Sequence, residues 1–206
     1  MGRFVNCILL TFSNCEWSSK VLHWNVLKCL VGLKKLKVES CKTIEVVFDL
    51  EGAKDEERDY VLAMSTLTLT SLPNLKHIWN KNPQGILDFP ELTRLELVDI
   101  PKLDHSSVEK AISTLELKRL VVDNAIMTWF RQFPAAHFTS LEVLGLQFLY
   151  DVNTGFPYSV LQKMSNSKTL IVKDGLFEEI FPSKQQVVEG NHSAVVQLKC
   201  LWVENL

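Results

Sequence analysis

The chain has 206 residues, 47% of them hydrophobic and 22% charged, a balance that excludes intrinsic disorder and fits a soluble globular protein. Lys and Arg total 22 against 24 Asp and Glu, so the net charge of -2 creates no long-range field toward nucleic acid or an anionic membrane. No apolar stretch is long enough to span a bilayer, and any partner must be recognised locally.

At the N-terminus, Arg3 precedes Phe4, Val5, Cys7, Ile8, Leu9, Leu10 and Phe12, which has the outline of a short signal peptide. Asn6 interrupts the apolar run and no small-residue cleavage pattern follows, so a buried strand is expected instead. Gly2 lacks the Ser or Thr that a myristoylation signal wants at position 6, which is Asn6. The five cysteines, Cys7, Cys15, Cys29, Cys41 and Cys200, form no CxxC pair and no zinc spacing, and are expected to be reduced thiols in a cytoplasmic protein.

From Leu33 onward one pattern recurs seven times, LxxLxLxx followed by another apolar residue. The clearest copies are Leu33, Leu36, Val38 with Cys41; Met64, Leu67, Leu69 with Leu72 and Leu75; and Leu92, Leu95, Leu97 with Ile100 and Leu103. Further copies are Leu117, Leu120, Val122 with Ala125; Leu141, Leu144, Leu146 with Leu149 and Val152; a degraded Ser167, Leu170, Val172 with Gly175; and Leu198, Leu201, Val203 with Leu206. The second leucines fall at 36, 67, 95, 120, 144, 170 and 201, spacings of 31, 28, 25, 24, 26 and 31. The two long spacings are expected to hold outer loops at Glu51 to Asp59 and Ser183 to Ser193. An eighth, degenerate copy is expected at Val5, Ile8 and Leu10.

Such a period is the signature of leucine-rich repeats. In each copy the LxL core is a short strand whose leucines enter the core while their neighbours face out. A single coil cannot bury its leucines alone, so stability must come from stacking. The expectation is an α/β leucine-rich-repeat solenoid of about seven to eight repeats, with a curved parallel sheet on the concave face and irregular loops and short helices on the convex face. Helical turns are expected at Val108 to Ile112 and Ser159 to Met164, and an irregular stretch at Asn80 to Pro90; Trp24, Trp79 and Trp129 are expected outside strands. Residues 1–29 are expected to be a degenerate or truncated N-terminal repeat and 30–206 the repeat domain, an excised piece with open ends.

Three passages resemble the repeat region of plant nucleotide-binding leucine-rich-repeat disease-resistance proteins of the coiled-coil class. They are Leu33 to Glu45 (LKKLKVESCKTIE), Ser71 to Leu92 (SLPNLKHIWNKNPQGILDFPEL), and Leu141 to Pro182 with its segments FPYSVLQKM and FEEIFP. The resemblance implies the sensing and self-inhibiting part of such a receptor. Its nucleotide switch is not in these residues, because the closest glycines, Gly145 and Gly155, are ten apart and the phosphate loop GxxxxGK[ST] cannot be written.

Chemistry is not indicated either. G-x-S-x-G is absent, His23, His77, His105, His137 and His192 are scattered through different repeats, and neither Glu178 and Glu179 nor the run Asp55 to Glu57 implies a catalytic pocket. No enzyme activity, cofactor, metal or nucleic-acid binding is expected. Asn191-His192-Ser193 fits the glycosylation sequon, which matters only in a secreted chain.

The expected protein-binding surface is the outward strand positions. They run Lys35, Lys37, Glu39; Thr66, Thr68, Thr70; Arg94, Glu96, Val98; Arg119, Val121, Asp123; Val143, Gly145, Gln147; Thr169, Ile171, Lys173; and Cys200, Trp202, Glu204. Trp202 is the one large aromatic among them. The partner implied is a pathogen effector or a guarded host protein in the defence response, together with an intramolecular nucleotide-binding module where a full-length form carries one. Two alternatives stay open, a substrate adaptor for ubiquitin ligation and a secreted receptor ectodomain.

Overall fold

A computed structural model describes residues 7–53, 60–80, 87–104, 106, 108–109, 116–130, 132–149, 166–176 and 198–205. The chain forms two compact units, Met1–Leu115 and Glu116–Leu206. The expected features at Lys54 to Asp59, Ser159 to Met164, Phe177 to Pro182, Ser183 to Ser193 and the sequon lie outside the described residues. Of Val108 to Ile112 only Val108 and Glu109 are described, and both are helical.

In the first unit the strands are β1 Leu9–Ser13, β2 Lys20–His23, β3 Lys35–Glu39, β4 Val46–Asp49, β5 Tyr60–Val61, β6 Thr66–Thr70, β7 His77–Asn80, β8 Leu87–Asp88 and β9 Arg94–Val98. The main ladder is β1, β3, β6 and β9, all parallel. Leu10, Leu36, Leu67 and Leu95 stand in one register row, and Phe12, Val38, Leu69 and Leu97 in another. From β3 to β9 these apolar positions are buried, so the alternation read from the sequence is the alternation in the fold. The first coil differs from expectation by two residues. Its inward pair is Leu10 and Phe12, not Ile8 and Leu10, and Ile8 is exposed.

Each main strand of this unit is followed by one residue with positive φ, Asn14, Ser40, Ser71 and Asp99, at 52 to 57°. Small polar side chains tolerate this left-handed corner better than branched ones. The corner also extends the ladder, since the amides of Asn14, Ser40 and Ser71 donate to Glu39 O, Thr70 O and Val98 O at 3.0 to 3.1 Å.

A second parallel ladder, β2, β4 and β7, occupies a segment of each coil where loops and short helices were expected. Trp79 lies within β7, which corrects its placement outside strands, and Leu87 and Asp88 of the expected irregular stretch pair with Tyr60 and Val61. Phe89 covers this ladder, its ring centroid 5.3 Å from Phe48 and 6.2 Å from Trp79. Trp24 sits outside the strands as expected, buried in a one-turn helix with Lys28 Nζ 5.5 Å from its ring centroid.

In the second unit β10 Arg119–Asp123, β11 Val143–Leu149, β12 Thr169–Gly175 and β13 Cys200–Glu204 form a parallel ladder. Leu120, Leu144, Leu170 and Leu201 share one row and Val122, Leu146, Val172 and Val203 the next. A helix, Asn124–Phe130, starts directly after β10 and packs on β10 and β11. It displaces the expected inward role of Ala125, which is exposed, onto Ile126 and Met127, which are buried. The degraded copy is satisfied chemically, because buried Ser167 donates its hydroxyl to Leu141 O at 3.4 Å.

Candidate protein-recognition face

The outward residues of each main ladder are aligned by strand register. In the first unit the rows, taken from strand start to strand end, are Leu9, Lys35, Thr66, Arg94; then Thr11, Lys37, Thr68, Glu96; then Ser13, Glu39, Thr70, Val98. Lys35, Thr11 and Arg94 are exposed, Thr66, Thr68 and Thr70 are half-buried, and Val98 is buried. Charge therefore changes along the strands, from cationic in the first row through a Lys37 and Glu96 row to anionic Glu39. Glu39 is held below the ordinary carboxylate range, chiefly by its hydrogen bond with Lys37 at 2.5 Å and then by the Ser13 hydroxyl at 2.7 Å.

The second unit has the rows Arg119, Val143, Thr169, Cys200; then Val121, Gly145, Ile171, Trp202; then Asp123, Gln147, Lys173, Glu204. Two of the sequence-derived binding residues are occupied internally. Val121 is only 2% exposed and lies close against Gly145, where a Cβ would stand 2.9 Å from Val121 Cγ2. Asp123 is 6% exposed and accepts the Ile126 amide at 2.9 Å, the N-cap bond of the Asn124–Phe130 helix. Arg119, Gln147 and Lys173 remain at least partly accessible, with Lys173 Nζ 2.6 Å from Glu204 Oε2. Trp202 is 60% exposed on β13, where Leu201 and Val203 are exposed as well.

Trp17, which the strand pattern passes over, is more exposed still at 73%. It lies in the turn between β1 and β2, so a strand-based register has no position for it. The only sequence signal for it is an aromatic in the polar run Asn14 to Lys20.

Elsewhere in the first unit the carboxylate of Asp49 is 0% exposed, with Lys20 Nζ 2.8 Å from Oδ2 and Asn80 Nδ2 donating to Oδ1 at 2.6 Å. His77 is half-buried, with Nδ1 3.9 Å from Asp104 Oδ2. The five cysteines are unbridged, and the Cys15 amide donates to Cys41 Sγ at 3.2 Å. Among the described residues no three His, Cys, Asp or Glu side chains are grouped as metal ligands, and no helix is long and apolar enough to cross a membrane.

Parallel strands one coil apart, with inward leucines and outward polar positions, define a leucine-rich-repeat protein. The family model for the leucine-rich repeats of plant disease resistance proteins of the RPS2-like kind matches residues 3–126, more than half of the 206-residue chain. The chain belongs to that family of plant disease resistance leucine-rich repeats. No curated protein and no solved structure matches it.

Proposed function

We propose that this chain is the protein-recognition part of a cytoplasmic plant immune receptor, a non-catalytic sensor that binds a pathogen effector or a guarded host protein. Within a longer receptor it also contacts that receptor's nucleotide-binding module. The observation that carries the reading is the division of labour along each main strand. Alternate residues such as Leu67 and Leu69 hold the coils together, while the outward positions change chemistry from coil to coil, as in Lys37, Thr68 and Glu96, on a backbone fixed by the ladder. Family membership supports the defence context.

In the first unit the contact residues are Lys35, Lys37, Glu39, Thr66, Thr68, Arg94 and Glu96; in the second they are Arg119, Gln147, Lys173 and Trp202. A pairwise interaction assay against a panel of pathogen effectors and host proteins tests the proposal. At least one panel member is expected to bind the wild-type chain and to be lost on Thr68→Arg or Gln147→Arg, with circular dichroism unchanged. Partners indifferent to both substitutions would remove the outward strand face from recognition.

A further inference from the structure

From the first row of the first unit we infer that this face takes an acidic protein segment, one of whose carboxylates is seated over Thr66 between Lys35 and Arg94. The inference rests on the outward face being the recognition surface.

Lys35, Thr66 and Arg94 are direct register partners on β3, β6 and β9. Neighbouring strands are about 4.8 Å apart, so the two cationic residues flank the threonine with roughly 10 Å between their Cα atoms. Just before this row two long side chains already meet across the intervening coil, Lys34 Nζ lying 2.9 Å from Glu91 Oε2. A carboxylate entering from a partner above Thr66 is thus within reach of both an ammonium and a guanidinium, with the threonine hydroxyl as a third donor.

Among the described residues, two nearby carboxylates are engaged by other partners. Glu91 is engaged by Lys34, and Glu39 by Lys37 and Ser13 two register rows away. Glu96 stands in the middle row, level with Lys37 and Thr68. The first row is left with two like charges and no acidic member, and its remaining residue, Leu9, is exposed and apolar. Two cations fixed on one row repel each other, and an incoming anion converts that repulsion into attraction. The charge order along the strands also sets polarity, because a partner acidic at the strand starts meets Glu39 unfavourably if it is reversed.

The experiment is a selection from a random dodecapeptide display library against the whole chain at physiological ionic strength. Selected peptides are expected to be enriched in Asp or Glu at one fixed position. Their binding should fall about tenfold or more on Lys35→Glu and on Arg94→Glu, and stay within about twofold on Lys42→Glu, which reverses an exposed lysine off the face. Peptides without an acidic position, equal loss on Lys42→Glu, or displacement by inorganic phosphate at constant ionic strength would each overturn the acidic seat. If Lys35→Glu and Arg94→Glu are harmless while Thr68→Arg still removes a partner, the seat is wrong and the recognition face stands. If Thr68→Arg and Gln147→Arg are both harmless too, the face itself is wrong.

Discussion

Lys20 Nζ lies 2.8 Å from Asp49 Oδ2 although the register partner of Lys20 is Val46 and that of Asp49 is His23. The lysine reaches along its neighbouring strand to a carboxylate that is wholly buried, and the Asn80 side chain and the Glu51 amide complete the set of donors around it. Burial pushes the Asp49 carboxyl up, but Lys20, then Asn80 and Glu51, outweigh it and hold it below the ordinary range. Lys20 is correspondingly raised, first by Asp49 and then by Glu51.

A depressed carboxylate contributes stability above its unfolded value of about 3.9, and that contribution is lost as pH falls through the folded value. The urea midpoint of the wild-type chain is therefore expected to drop on acidification below about pH 4. Asp49→Asn, which keeps an oxygen for the Glu51 amide, should show a shallower drop over the same window. Parallel acid profiles for the two proteins would show that Asp49 is not linked to folding.

Gly145 is required by the packing of Val121 rather than by its own backbone, since its φ lies outside the left-handed region. Gly145→Ala places a methyl in contact with a buried branched side chain and should cost about 1–3 kcal/mol in chemical denaturation. Val121→Ala in the same chain should recover part of that loss. Additive single and double values would contradict the contact.

Asp123→Ala removes the N-cap of the Asn124–Phe130 helix and leaves the Ile126 amide without this acceptor. The expected cost is about 1–2 kcal/mol, whereas Asp123→Asn should keep most of the stability because asparagine also caps well. Equal losses in the two variants would mean that charge, not capping, is what Asp123 supplies.

At Ser40 the left-handed corner is carried by a residue with a Cβ. Ser40→Gly should raise stability by about 0.5–1 kcal/mol, and Ser40→Val should lower it by about 1–2 kcal/mol, both read from denaturant midpoints. A neutral Ser40→Val would show that the corner is not strained.

The repeat is legible wherever one residue's side chain decides its own direction. Leu36, Leu67, Leu95, Leu120, Leu144 and Leu170 are buried at the predicted positions because period-two alternation is a local property. What stays hidden depends on neighbours in space. Val121 and Asp123 have the spacing of outward residues, yet a glycine one strand away and a helix beginning next door bury them. The N-cap signal, Asp123 followed by Asn124, Ala125 and Ile126, is present in the sequence but is masked by a repeat pattern that continues to Ala125. The ladder containing Trp79 escapes the pattern because its central strand is buried on both faces, so Val46, Val47 and Phe48 form a continuous apolar run without alternation. In the first coil the apolar run around Leu9 and Leu10 admits two frames, and only pairing with β3 selects one.

The separation of roles along each main strand also governs how the molecule can change over generations. Thr66, Thr68 and Thr70 contribute backbone to the ladder but leave Leu67 and Leu69 to fill the core, so each can be exchanged singly at small thermodynamic cost. Outward positions of the first unit can thus vary one side chain at a time, whereas at β10 and β11 Val121 and Gly145 interlock, so that a larger residue at 145 calls for a smaller one at 121.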